Sequence, residues 1–145
     1  MTKKQYEPAV AALHDAHSIC IVTHLRPDAD AIGSAAALLL ALRQRGKDVC
    51  AVVGQEREIS RNLYTIPAAD DVTTSLKLPE GYDLYVTVDC GSLDRTGFFA
   101  DRIEQLAQQG RVLCIDHHSS NPGFGAINVV DTAVSYTHLR AHETS

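Results

Sequence analysis

No stretch of 18 consecutive apolar residues occurs in this sequence, and its start has no long apolar segment, so nothing in it reads as a membrane span or a secretory leader. An excess of positive charge is missing too. The 13 Lys and Arg against 18 Asp and Glu give a formal charge of −5, which excludes sequence-blind binding of duplex nucleic acid through a broad phosphate-neutralising face. A small anionic substrate would need a local cation. There is no CxxC pair: Cys20, Cys50, Cys90 and Cys114 are widely spaced, each in or beside an apolar run. That spacing is unlike a zinc knuckle and fits buried thiols in a reducing, cytoplasmic setting. Internal repeats and low-complexity linkers are also absent, and 145 residues at 45% apolar suit one domain with one core.

What is present is an alternation of short β-branched runs with helix-like segments. ICIVT (19–23), DVCAVVG (48–54), DLYVTVD (83–89), RVLCID (111–116) and a shorter AINVVD (126–131) read as strands, apolar on both faces as a parallel sheet requires. Residues 5–16, 31–46 and 98–110 carry helical spacing, the last two closed by Gly46 and Gly110, and a short helix is expected near 58–64. Strands alternating with helices predict an α/β fold with three layers, a parallel sheet covered by helices on both faces.

Acids and imidazoles cluster just after these strands. HLRPDADAIGS (24–34) follows the first with His24, Asp28 and Asp30; Asp89 ends the third; DHH places Asp116, His117 and His118 after the fourth. Ligands of open parallel sheets bind beyond the carboxyl ends of the strands, so these side chains are expected to meet in one cleft. Carboxylates gathered without counter-charge resist joint ionisation, and a divalent metal relieves that conflict. Mixed imidazole and carboxylate donors suit Mn²⁺, Fe²⁺, Co²⁺ or Zn²⁺, whereas an all-oxygen set would favour Mg²⁺ or Ca²⁺. A central Asp89 is the candidate to bridge two ions about 3.5–4 Å apart, which together would clamp a phosphoryl group and activate a water for in-line attack. Gly33 and Ser34, read as opening the next helix, would offer its N-terminus to phosphate.

Each residue also has a plainer reading. Asp30 alone is an N-cap, Asp28 a turn residue after Pro27, Asp89 or Asp116 a turn former, and His117 and His118 ordinary histidines, as His14 and His17 are. The joint pattern, three polar clusters each directly after an apolar strand, outweighs these separate readings.

THLRPDADAIGS, VTVDCGSLDRTG and CIDHHSSN resemble the first three motifs of the DHH phosphoesterases, and the leading histidine with the DAIGS ending is similar to the nanoRNase and pAp-phosphatase branch. The resemblance implies a DHH catalytic domain over residues 1–131. It implies two Mn²⁺ ions, with Mg²⁺ or Co²⁺ as substitutes: His24 and Asp28 on one, Asp30 and His117 on the other, Asp89 between them. Asp116 would orient its neighbours and His118 would face the substrate phosphate or leaving group. Implied substrates are short oligoribonucleotides such as pApA, or 3′-phosphoadenosine 5′-phosphate (pAp), with a homodimer possible for the full-length protein. The alternatives are a pyrophosphatase or exopolyphosphatase, and a catalytically silent metal or nucleotide binder. Two departures are expected: a later aspartate ligand and the C-terminal DHHA1 domain are missing. Asp131 falls too early to be that ligand. Residues 132–145, with YTHLRAHETS, read as an artefactual tail, so His138, His142 and Glu143 are set aside.

Overall fold

A computed structural model describes residues 3–131; the tail with His138, His142 and Glu143 lies outside the described residues. Six parallel strands form one sheet: β1 (Ser18–Thr23), β2 (Asp48–Val53), β3 (Val72–Thr74), β4 (Leu84–Val88), β5 (Val112–Asp116) and β6 (Ile127–Val130), in the order β3-β2-β1-β4-β5-β6. The order reverses between β1 and β4. The interior strands β4 and β5 are buried along their whole length, as their sequences, apolar on both faces, require.

Helices α1 (Lys3–Asp15) and α2 (Ala29–Gln44) cover one face, where Tyr6, Leu13, Ile32, Leu39 and Leu42 pack on Ile19, Ile21, Val86 and Leu113. The other face is covered by α3 (Ala100–Gln108), whose Ile103 and Leu106 meet Cys20, Val22, Tyr85 and Val112. The expected three-layer α/β architecture is the observed one. Alanines 31, 35 and 36 are buried along α2, letting its backbone sit low over the sheet. The helix closes at Gly46, in the left-handed region at φ 78°, with the amides of Gly46 and Lys47 returning to the carbonyls of Arg43 and Leu42. Between β2 and β4 the chain makes two 3-10 turns, Arg61–Thr65 and Ala69–Asp71, where the sequence predicts one short helix near 58–64, and then the three-residue edge strand β3, which the sequence pattern does not predict. Among the described residues no helix is long and apolar enough to cross a membrane.

Candidate metal centre

The reversal of strand order puts the ends of β1 and β4 side by side, and the Thr23 hydroxyl donates to the Val88 carbonyl at 2.8 Å to hold them there. His24 follows β1 and Asp89 follows β4; both are buried. Asp89 stands in the left-handed region at φ 56°, a conformation Asp tolerates better than most residues. Its two carboxylate oxygens face different imidazoles. Oδ1 lies 2.7 Å from His117 Nε2 and Oδ2 lies 3.6 Å from His24 Nε2.

The acids of the β1–α2 loop complete the two halves. Asp28 Oδ1 is 3.7 Å from His24 Nε2, and Asp30 Oδ2 is 3.5 Å from His117 Nε2. Asp28 rather than Asp30 is the N-cap of α2, accepting the Ala31 amide at 2.9 Å, and Asp30 sits in the first turn. The cap reading therefore moves two residues, because α2 begins at Ala29. For the same reason Gly33 and Ser34 do not open the helix: they lie in its second turn, past the amides that a helix leaves unpaired, and Ser34 is buried.

Electrostatics follow from this crowding. The Asp89 hydrogen bond raises the His24 pKa above the ordinary histidine value against the opposing effect of burial. Burial pushes Asp89 up, but hydrogen bonds and charge from His24 and His117 more than offset it and hold the carboxyl below its usual range. His24 Nδ1 donates to the Leu25 carbonyl at 2.6 Å, so in the neutral ring it is Nε2 that turns a lone pair to the acids' side of the cleft. Donor atoms of His24, Asp28 and Asp89 lie within 4.8 Å of one another, as do those of Asp89, Asp116, His117 and His118. Hard carboxylate and neutral imidazole donors at that spacing fit divalent cations.

Asp116 is engaged by the loop after β5. Its Oδ1 holds His118 Nδ1 at 2.6 Å and its Oδ2 accepts Asn121 Nδ2 at 2.8 Å, while the His118 ring stacks on His117 with centroids 4.5 Å apart. Asn121 also donates to the Cys90 carbonyl and accepts the Gly123 amide, so it ties the loops after β4 and β5 together. Its place in CIDHHSSN, three residues past the second histidine, is the sequence signal for it. Sequence pattern alone gives neither it nor Arg95 a role; the Arg95 guanidinium reaches to 3.3 Å from His24 Nδ1. His14 and His17 lie on the exposed surface beyond the opposite end of the sheet, and Asp131 accepts the Tyr6 hydroxyl at 3.3 Å.

A likeness at 35% identity over 120 residues links the chain to the bifunctional oligoribonuclease and PAP phosphatase NrnA of Thermus thermophilus, covering 82% of this chain and 33% of that protein. The chain thus spans about a third of that relative's length. Its fold is similar to the crystal structure of an exopolyphosphatase-related protein from Bacteroides fragilis, with a TM-score of 0.82 at 23% identity over 98% of this chain and 44% of the other. Residues 18–142 match the family described as DHH family, N-terminal domain, and on that match the chain belongs to the DHH family of phosphoesterases.

Proposed function

We propose that this chain is the catalytic domain of a Mn²⁺-dependent phosphoesterase acting on short oligoribonucleotides such as pApA, on pAp, or on both. The observation that carries the reading is the opposed arrangement of Asp89, whose two oxygens serve His24 on one side and His117 on the other. One carboxylate set between two imidazole and acid pairs is what a two-ion centre needs. In the proposed assignment His24 and Asp28 hold one ion, Asp30 and His117 the second, and Asp89 both. Two such ions, when bound, supply charge for the phosphoryl oxygens and lower the pKa of a water near neutral pH.

The remaining roles belong to the protein. Asp116 fixes the His118 ring through Nδ1, and His118, about half exposed, is free to present Nε2 to a leaving oxygen. A proton held there would go to the departing alkoxide, and Asp116 would stabilise the imidazolium so required. The likeness to the Thermus relative, named as an oligoribonuclease and PAP phosphatase, supports the choice of substrates. The four unpaired thiols suit the cytoplasm.

The test is hydrolysis of pAp and pApA by the 145-residue chain with Mn²⁺, with pyrophosphate and polyphosphate in parallel. Phosphate or AMP release from the nucleotides, lost in Asp89→Asn, supports the reading. Cleavage of pyrophosphate or polyphosphate alone would replace it with the pyrophosphatase alternative, and binding of Mn²⁺ without turnover of any substrate would make the chain a silent binder.

A further inference from the structure

We propose that Arg95 is the cation that receives the substrate phosphate at this centre, an inference that rests on the phosphoesterase reading above. The two proposed ions would offset the cleft's aspartates, but the chain as a whole carries negative formal charge, so a further positive group beside the ions would strengthen the hold on a phosphate ester. Arg95 brings a guanidinium to the edge of the centre, 3.3 Å from His24 Nδ1.

That contact competes with a shorter one at the same nitrogen. A neutral imidazole carries one proton, and with Nε2 facing Asp28 and Asp89 as a ligand the proton is on Nδ1, where the Leu25 carbonyl accepts it at 2.6 Å. Nδ1 then has no lone pair for arginine. A guanidinium only donates, so Arg95 keeps N–H groups for a further acceptor. Among the described residues it forms no ion pair with a carboxylate, whereas Arg43 is held by Asp71 and Arg102 by Glu80.

Its position is also fixed in advance. The Leu25 amide donates to the Arg95 carbonyl at 2.9 Å, and the Arg95 amide to the Ser92 carbonyl at 3.2 Å. Next to it Thr96 is buried, its hydroxyl on the Leu93 carbonyl at 2.6 Å, and the Phe98 amide donates to the Gly54 carbonyl at 3.1 Å. The turn carrying Arg95 is therefore braced on the ends of β1 and β2. A preset planar fork matches phosphate oxygens with little entropy left to lose.

The experiment measures Mn²⁺ binding by calorimetry and inorganic phosphate binding to the Mn²⁺-loaded chain by ³¹P relaxation, in the wild-type protein, Arg95→Ala and Arg95→Lys. Expected is a loss of about ten- to a hundredfold in phosphate affinity for Arg95→Ala, the usual weight of a charge-assisted bond. Arg95→Lys should recover part of it. Mn²⁺ affinity should stay equal or tighten in Arg95→Ala, since a positive neighbour is gone; a structural role would weaken it instead. Equal phosphate binding in all three proteins, no phosphate binding by the wild type, or loss of Mn²⁺ and phosphate together in Arg95→Ala would overturn the proposal. Phosphate binding that depends on Arg95, in a chain that hydrolyses no ester, would overturn the phosphoesterase reading and leave Arg95 as an anion site.

Discussion

Asp89 combines two demands at one position, a buried carboxylate and a left-handed backbone. Asn meets the second without the first, so Asp89→Asn is a cleaner probe than Asp89→Ala, whose Cβ adds strain at φ 56°. Expected is loss of Mn²⁺ binding, with metal-free stability lowered by about 1–3 kcal/mol because the charge-assisted bonds to His24 and His117 weaken, checked by calorimetry and urea unfolding; retained affinity would remove Asp89 from the ligand set. The thiols differ in a comparable way. Cys20 and Cys50 are register partners on β1 and β2. Hydrogen bonds from Cys20 and from Tyr82 hold the half-buried Cys50 thiol below its ordinary value despite burial, while burial pushes Cys90 and Cys114 up. Iodoacetamide at neutral pH should therefore label Cys50 first, and Cys20→Ala should slow that labelling, both read by peptide mass mapping. Equal labelling of all four cysteines would contradict this order.

At the level of elements, two glycines make contrasting predictions. Gly97 has φ 68°, and a Cβ there would stand 2.2 Å from the Gly54 carbonyl oxygen and 2.3 Å from Leu25 Cδ2. Gly46 also has positive φ, yet a Cβ would meet nothing within 4 Å. Gly46→Ala should cost about 1 kcal/mol for backbone strain alone, and Gly97→Ala about 2–4 kcal/mol because overpacking adds to it. Urea denaturation of both variants checks the ranking. At the other end of the sheet the Asp83 carboxylate accepts the amides of His17 and Ser18 at 2.9 and 3.2 Å, and those bonds hold its pKa below the usual range. A lowered carboxyl stabilises the fold above the unfolded value of about 3.9 and loses that contribution as pH falls through the folded value. Asp83→Asn should flatten the stability profile below about pH 4, and an unchanged slope would show that Asp83 carries none of it. Element boundaries were legible where chemistry repeats: β-branched runs gave β1, β2, β4 and β5, and Gly46 and Gly110 ended their helices. β3 was not, because three residues at a sheet edge carry too little pattern to be read. The start of α2 was misplaced by two residues because two aspartates flank it and either can cap.

For the molecule as a whole, the clustering of His24, Asp28, Asp30, Asp89 and His117 was legible because parallel topology sends every strand's carboxyl end to the same edge. What local pattern could not supply was contact between loops distant in sequence, so Arg95 and Asn121 were missed although both lie inside quoted motifs. The β1–β4 junction that brings the halves together also sets an order of events in folding. Thr23 and Val88 are 65 positions apart, and the donors of the candidate centre are separated until that pair of strands has zipped. A cation that needs all of them can engage only a chain that has already closed this long loop. Stopped-flow measurements should then show Mn²⁺ slowing unfolding while the refolding rate stays unchanged, with its effect confined to the unfolding limb of the chevron. If Mn²⁺ accelerated refolding, the β1–β4 junction would belong to the folding nucleus, and the metal centre would be among the first parts of the protein to form rather than the last.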